Sequence, residues 1–415
     1  MDLSVATNFE PDLIEALQGL PRTRSGGLPV TELFGKLPSD AVGGGRASYM
    51  LAPTSWSQLE AHVRQAAAAG IGFNYLLNPA CMGNQEFTRP GQRGLRRLLD
   101  RLSELGVGAV TVALPFLLEL IKKCYPHFRV KVGVYAKINN VPQAKFWEAL
   151  GADEIHLESL AVNRDFPLLA EIRNAVRCNL RLIANANCLQ FCPLAVYHMV
   201  GLSHASRRGE PGGGFMIDYC FLRCSELKLR EPVNYLRSEW VRPEDLPLYE
   251  ELGYDRWKIL ERNAPTPALV RRARAYAERQ YDGNLLDLIQ PFGYREPQPG
   301  LTERGLYRSL RFFFRPRLVN PLRFDRVRRL AKLRSMLDPL KGEPPVWIEN
   351  HRLDGFIERF RQEGGCRITD CDRCRHCHEF AAQAVRIDPA HREQALALYD
   401  QIFEDLLSGR MWNYP

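Results

Sequence analysis

No window of the chain comes near the roughly 18 consecutive apolar residues that a membrane-spanning helix needs. The opening Met1-Asp-Leu-Ser-Val-Ala6 has neither the basic residues nor the apolar run of a secretory leader. Together these absences give the expectation of a cytoplasmic protein with no membrane insertion. No Walker or Rossmann glycine fingerprint is present, which argues against a phosphate-cradling nucleotide fold. No His-Glu-x-x-His occurs, so a metallopeptidase built on that helix is excluded, and no nucleophile–base pair is readable. The Cys-x3-Cys-x2-Cys triad of radical S-adenosylmethionine enzymes is missing too.

What is present is an ordinary globular balance. The 415 residues are 45% hydrophobic and 25% charged, enough for one large domain with a smaller second part. Eleven cysteines are an odd number, and eight of them fall in two clusters. In a reducing compartment that pattern argues for metal ligation over disulfides. The net charge of +8 is concentrated: eleven Lys and Arg lie between Arg304 and Arg334, with only Asp325 inside the run. With Tyr307 and Phe312-Phe-Phe314 interleaved, this segment could grip RNA phosphates and stack bases, or hold a protein partner. A solvated arginine-rich surface is the plainer alternative.

Eight apolar runs read as strands: Leu3–Thr7, Ala47–Leu51, Ile71–Leu77, Ala109–Leu114, Val130–Tyr135, Glu154–Glu158, Leu180–Ala184 and Arg256–Leu260. Amphipathic stretches such as Trp56–Ala69 and Pro167–Val176 separate them. Alternation of this kind implies parallel strands with crossover helices, and eight repeats point to a (β/α)8 TIM-like barrel. An open doubly wound sheet is the alternative. The barrel is expected over 1–290, with a cysteine-bearing insertion at 186–254. A C-terminal basic and cysteine-rich region follows at 291–415.

Chemistry in such a barrel belongs at the C-terminal ends of the strands. Polar residues recur there: Asn8, Asn78 with Cys81, Lys137, Asn139, Asn140, Glu158, Asn185, Asn187, Glu261 and Arg262. Lys137 and Arg262 suit a carboxylate, Glu158 or Glu261 suits proton movement, and Asn139 and Asn185 suit the orientation of polar groups. Strand exits are often polar without being catalytic, so their recurrence carries the inference.

Cys188-x3-Cys192 and Cys220-x3-Cys224 make four thiolates in two pairs, a set for zinc or an iron–sulfur cluster. Pro193 suits a helix start, which would place Cys192 at a helix N-terminus where an anionic cluster is favoured. The second set is Cys366-x4-Cys371-x2-Cys374-x2-Cys377, whose core has the ferredoxin rhythm. His376 and His378 leave a zinc site open there. Cys124 and Cys178 read as packing residues.

Several stretches resemble the collagenase-like peptidase family U-32: "VTELFGKLPSDAVGGGR", "NYLLNPACMGNQEF", "VKVGVYAKINN", "FWEALGADEIHLE" and the C-terminal "DCDRCRHC". The resemblance implies a TIM-like barrel with four cysteines around a 4Fe–4S cluster. It also implies kinship with oxygen-independent hydroxylases that act on ubiquinone precursors or RNA bases, with prephenate as oxygen donor. The gap of only Leu189-Gln-Phe191 between the first two central cysteines departs from that pattern, and the C-terminal quartet suggests a second cluster.

The expectation is therefore an iron–sulfur hydroxylase or related oxidoreductase acting on a small molecule. The alternatives are an RNA-base hydroxylase, a peptidase, and a non-catalytic metal-stabilised subunit. A homo- or heterodimer is compatible with each.

Overall fold

The computed structural model describes residues 1–22, 26–210, 212–291, 314–334, 344–361, 366 and 370–413. Eight parallel strands close into a barrel in sequence order: β1 (Asp2–Ala6), β2 (Val30–Gly35), β3 (Gly72–Leu77), β4 (Ala109–Val112), β5 (Arg129–Val132), β6 (Glu154–His156), β7 (Asn179–Ile183) and β8 (Arg256–Ile259). β8 returns to β1 with Trp257 opposite Leu3, so the (β/α)8 expectation holds.

One strand is not where the apolar pattern puts it. Ala47–Leu51 forms a short 3-10 turn at Ser48–Met50, and the second strand is Val30–Gly35. Glu32 interrupts that run and hides it from a hydrophobicity reading. Its charge is nevertheless buried inside the barrel, where it accepts from Ser4 Oγ at 2.6 Å and from Asn74 Nδ2 at 3.2 Å.

The same inversion runs round the sheet. Strand residues alternate between two faces, and here the outward positions are the apolar ones: Leu33, Val110, Val130, Ile155, Leu180 and Trp257 are all buried beneath the helices. The inward layer is polar. Lys131 Nζ bridges Glu32 at 2.7 Å and Glu154 at 3.0 Å, and Arg181 Nε donates to Glu154 at 2.7 Å. Branched aliphatic layers are the usual filling of such barrels. A buried ion pair gains little net stability, but stranding one partner is costly, so this network holds only because each member has a mate.

The helices begin where short polar side chains can cap them. Ser55 and Gln58 form a reciprocal capping box before Trp56–Ala68, and Asp218 accepts from Phe221 N at 2.9 Å to start Tyr219–Arg230. The 72 residues from Ala184 to Asp255, between β7 and β8, hold that helix and another, Ala195–Ala205.

The C-terminal part adds an antiparallel pair, β9 (Val346–Ile348) with β10 (Val385–Ile387), and the long helix Pro389–Leu407. Tyr399 and Ile402 of that helix share one apolar core with Leu222 and Leu229 of the insertion. Of the basic segment, Tyr307, Phe312 and Phe313 lie outside the described residues. Phe314 is exposed, while Arg326 and Arg323 turn inward to the fully buried Asp405. Among the described residues no helix is long and apolar enough to cross a membrane.

Candidate active site

The C-terminal ends of the strands open into a cavity of about 290 Å3. Its floor is the uppermost inward layer of the barrel, formed by Phe34, Leu76, Gly133, His156, Ile183 and Lys258. One wall is the insertion, and His391, Ala395 and Tyr399 of the last long helix close over the top.

All four central cysteines line this cavity. The loop carrying Cys188 is pinned by a short ribbon: Glu239 N donates to the Cys188 carbonyl at 3.1 Å, and Gln190 N donates to the Arg237 carbonyl at 3.0 Å. Cys192 lies just outside the following helix, which starts at Ala195 and not at Pro193, and its carbonyl accepts from Ala195 N. Cys220 and Cys224 are one turn apart on helix Tyr219–Arg230, so both face the same side. Burial, followed by Asp218, Cys192 and Cys224, pushes the Cys220 thiol up to about 12. Burial, then Glu239 and Cys224, raises the Cys188 thiol as well.

The donor set is soft and all sulfur, which suits zinc or iron–sulfur. Among the described residues, no three His, Cys, Asp or Glu side chains converge tightly enough to hold a single metal ion. All four thiols border one shared space. Lys228, at the same wall, donates to Asn187 Oδ1 at 2.7 Å and adds positive charge beside the sulfurs.

The strand-exit residues divide into two groups. Glu158, Glu261 and Arg262 line the cavity. Glu261, at a left-handed φ of 99°, pairs with Arg46, and Arg262 Nη1 is buried with no hydrogen-bond partner among the described residues. Burial and the nearby Arg46 lower the Arg262 guanidinium to about 10. Asn78 Oδ1, also at the cavity, is a buried acceptor with no such partner. Lys137 and Asn139 stand behind Glu158: Lys137 pairs with one carboxylate oxygen, and Asn139 Nδ2 donates to the other at 2.5 Å.

Asn185 is turned away from the cavity. It accepts from Leu260 N at 2.6 Å and donates to the Leu288 carbonyl at 3.1 Å, tying the β7 exit to the β8 exit. Asn8 is similarly engaged with the Ala264 carbonyl and Thr266. Two amides of the Gly43–Arg46 loop are already engaged. Gly43 N donates to Asp40 and Gly44 N to Ser206 Oγ. A Cβ at Gly44 would crowd Asn78 Oδ1 at 3.0 Å, so the loop packs tightly against that side chain.

Residues 48–190 match the sequence model of Peptidase family U32. A curated relative from Methanocaldococcus jannaschii, described as the uncharacterized protease MJ1657, is 27% identical over 346 residues. That alignment covers 83% of this chain and 86% of the relative. Over that stretch the chain is similar to peptidase family U32. Among solved structures, the U32 peptidase Mk0906 is 24% identical, with 55% of this chain and 83% of that chain covered and a TM-score of 0.42. FabK from Thermotoga maritima is 12% identical, with 49% and 55% covered and a TM-score of 0.26.

The U32 match runs from the 3-10 turn at Ser48 to the loop between Cys188 and Cys192, so it includes the Glu158 group and ends inside the central quartet. Two cavity residues within or beyond it escaped the sequence reading, His156 and Lys258. Both stand at inward positions of strands that look apolar. The available signal was a charge or imidazole in mid-strand, as in Arg256-Trp-Lys-Ile259. Glu239, buried and raised to about 7 by desolvation, was also missed.

The C-terminal quartet lies beyond the U32 match. Cys366, Cys371, Cys374 and Cys377 line a second, small cavity with Arg237, His376 and His378. The Nε atoms of Arg237 and of the adjacent buried Arg164 have no hydrogen-bond partner among the described residues. Cationic N–H groups beside thiolates suit an anionic cluster or a zinc thiolate. His376 stacks on Phe356 at 5.2 Å, with Nε2 at 2.9 Å from the Phe356 carbonyl, so that ring nitrogen is already engaged.

Proposed function

We propose that this chain, similar to peptidase family U32, is an iron–sulfur oxidoreductase of the oxygen-independent hydroxylase type, acting on a small molecule at the barrel mouth. The observation that carries the reading is the shared cavity: Cys188, Cys192, Cys220 and Cys224 form one wall of the space whose other walls bear Glu158, Glu261 and Arg262. A 4Fe–4S cluster held by those cysteines would supply one-electron redox capacity at that wall. The chain's own residues then have separate tasks. Arg262, whose buried Nη1 has no hydrogen-bond partner among the described residues, and Arg46 bind a carboxylate, as an anionic oxygen donor such as prephenate would require. Glu158, fixed by Lys137 and Asn139, exchanges a proton with the substrate. His391, Ala395 and Tyr399 of the last long helix also line this space, and burial from bulk water lowers the dielectric in which these charges act.

The test is anaerobic purification with iron and sulfide analysis, followed by incubation with prephenate and a candidate quinone precursor or RNA. The expected product gains one oxygen without molecular oxygen, and Glu158→Ala gives none. The relatives' names favour a second reading, a peptidase. Cleavage of gelatin that persists after the iron is removed would support that reading and overturn the redox one.

A further inference from the structure

Lys258 is a buried amine with an unusual set of neighbours. It stands on the cavity floor, and only 5% of its surface is exposed. Its contacts are His156 Nδ1, 3.4 Å from Nζ, and the face of Phe34, whose centroid is 4.1 Å away. Among the described residues no carboxylate pairs with it. The acids below are already taken: Glu32 and Glu154 hold Lys131, and Glu154 also holds Arg181. Lys36, another deeply buried lysine, has Asp40 at 2.9 Å. A structural role as counter-ion therefore does not account for Lys258.

His156 explains how the amine is held. Its Nε2–H donates to Glu154 Oε1 at 3.0 Å, which leaves the Nδ1 lone pair to accept from Lys258. That contact directs one N–H downward, so the nitrogen lone pair is free to face the cavity. Elsewhere in the same cavity Arg262 Nη1 and Asn78 Oδ1 are a buried donor and acceptor without hydrogen-bond partners among the described residues.

We propose that Lys258 is a nucleophilic amine that condenses with a small oxo acid bound in this cavity, its carbonyl at Lys258 and its carboxylate at Arg262. The lysine nitrogen forms a bond to the carbonyl carbon, and the carbonyl C–O bond breaks. The oxygen leaves as water with the two amine protons, and the product is an imine. No oxidant or reductant is needed. His156 is a positioning residue in this step. Burial lowers the amine to about 7 although Glu32 opposes it, and the neutral form it requires is abundant at physiological pH. The site is the same cavity as that of the proposed redox reaction, but imine formation needs no cluster, so the two readings fail separately.

The full-length protein is treated with glyoxylate and cyanoborohydride at pH 7, and the reduced adducts are mapped by peptide mass spectrometry. An ordinary lysine, with a pKa of about 10.4, is neutral to the extent of only one part in a few thousand at that pH. Lys258 is expected to be modified at least about tenfold faster than the median lysine, with a rate that rises through pH 7. His156→Gln is expected to move that midpoint while the other lysines keep theirs. Modification of Lys258 no faster than the surface lysines would overturn the proposal. Acetaldehyde, which lacks a carboxylate, supplies the second arm: Arg262→Gln should reduce labelling by glyoxylate but not by acetaldehyde. An unchanged ratio would overturn the assignment of the oxo acid.

Discussion

The Glu239 N–H donates to the Cys188 carbonyl at 3.1 Å, and two residues earlier the same ribbon places Arg237 against the C-terminal cysteines. The two quartets thus lie on either side of one short stretch of backbone. A change in either should be felt through residues 237–239, but each has its own cavity and its own ligands.

Replacing any one of Cys188, Cys192, Cys220 or Cys224 with Ala is expected to lower iron, sulfide and thiolate–iron absorbance together. Cys124→Ala and Cys178→Ala, outside both cavities, serve as controls and should leave all three unchanged. Full iron content in all four central variants would remove the cluster from this wall.

Point variants are the right probe of the second site. Deleting the chain from Gly364 onward would remove Tyr399 and Ile402 from the shared core, and truncating such side chains to nothing costs roughly 2–5 kcal/mol each. Cys371→Ser with Cys374→Ser should instead lose one metal complement and retain the central absorbance. Metal analysis of that double variant also distinguishes iron from zinc. An unchanged metal content would mean that Cys366, Cys371, Cys374 and Cys377 are not ligands.

Lys258→Met should stabilise the protein. The folded amine titrates at about 7 against an ordinary 10.5, so between those values the unfolded chain binds more protons and stability climbs with pH. Well below pH 7 both states are protonated, and the cost of burying the charge is felt in full. The variant should therefore gain about 1–4 kcal/mol at pH 6, and the gain should fade as pH approaches 10.5. Urea denaturation at several pH values measures this. A gain that does not change with pH would argue against a buried titrating amine.

Glu154→Gln should have the opposite sign. Its carboxyl is buried, and His156, Arg181 and Lys131 together hold it well below the usual range despite desolvation. Removing the charge leaves Lys131 and Arg181 short of a partner, a loss of roughly 3–5 kcal/mol. The stabilising contribution is complete above the ordinary carboxylate pKa of about 4.3 and disappears as pH falls through the depressed value. The difference between wild type and variant should therefore narrow in acid.

The barrel was legible because its outward strand positions are apolar, as at Val130, Ile155 and Leu180. The inward positions were not, because Glu32, Lys131, His156 and Lys258 look like interruptions until closure of the sheet supplies their mates. That is why β2 was sought at Ala47–Leu51 and why the cavity floor went unread. The paired spacing of Cys220 and Cys224 translated directly into one helical face. Asn185 shows the limit of reading polarity at strand exits: its amide looks like a substrate contact in sequence, but in three dimensions it seals a seam between strands.

The roof of the cavity comes from the end of the chain, and this orders events during synthesis. Cys224 leaves the ribosome 165 residues before Pro389 (389 − 224), the start of the helix that carries His391, Ala395 and Tyr399. At about 5–20 residues per second that interval is on the order of ten to thirty seconds. Once β8 (Arg256–Ile259) has followed, the barrel and its four thiols stand complete but uncovered for the rest of that time. A cofactor too large to pass the finished roof therefore has a brief window for entry, which closes when the last long helix docks.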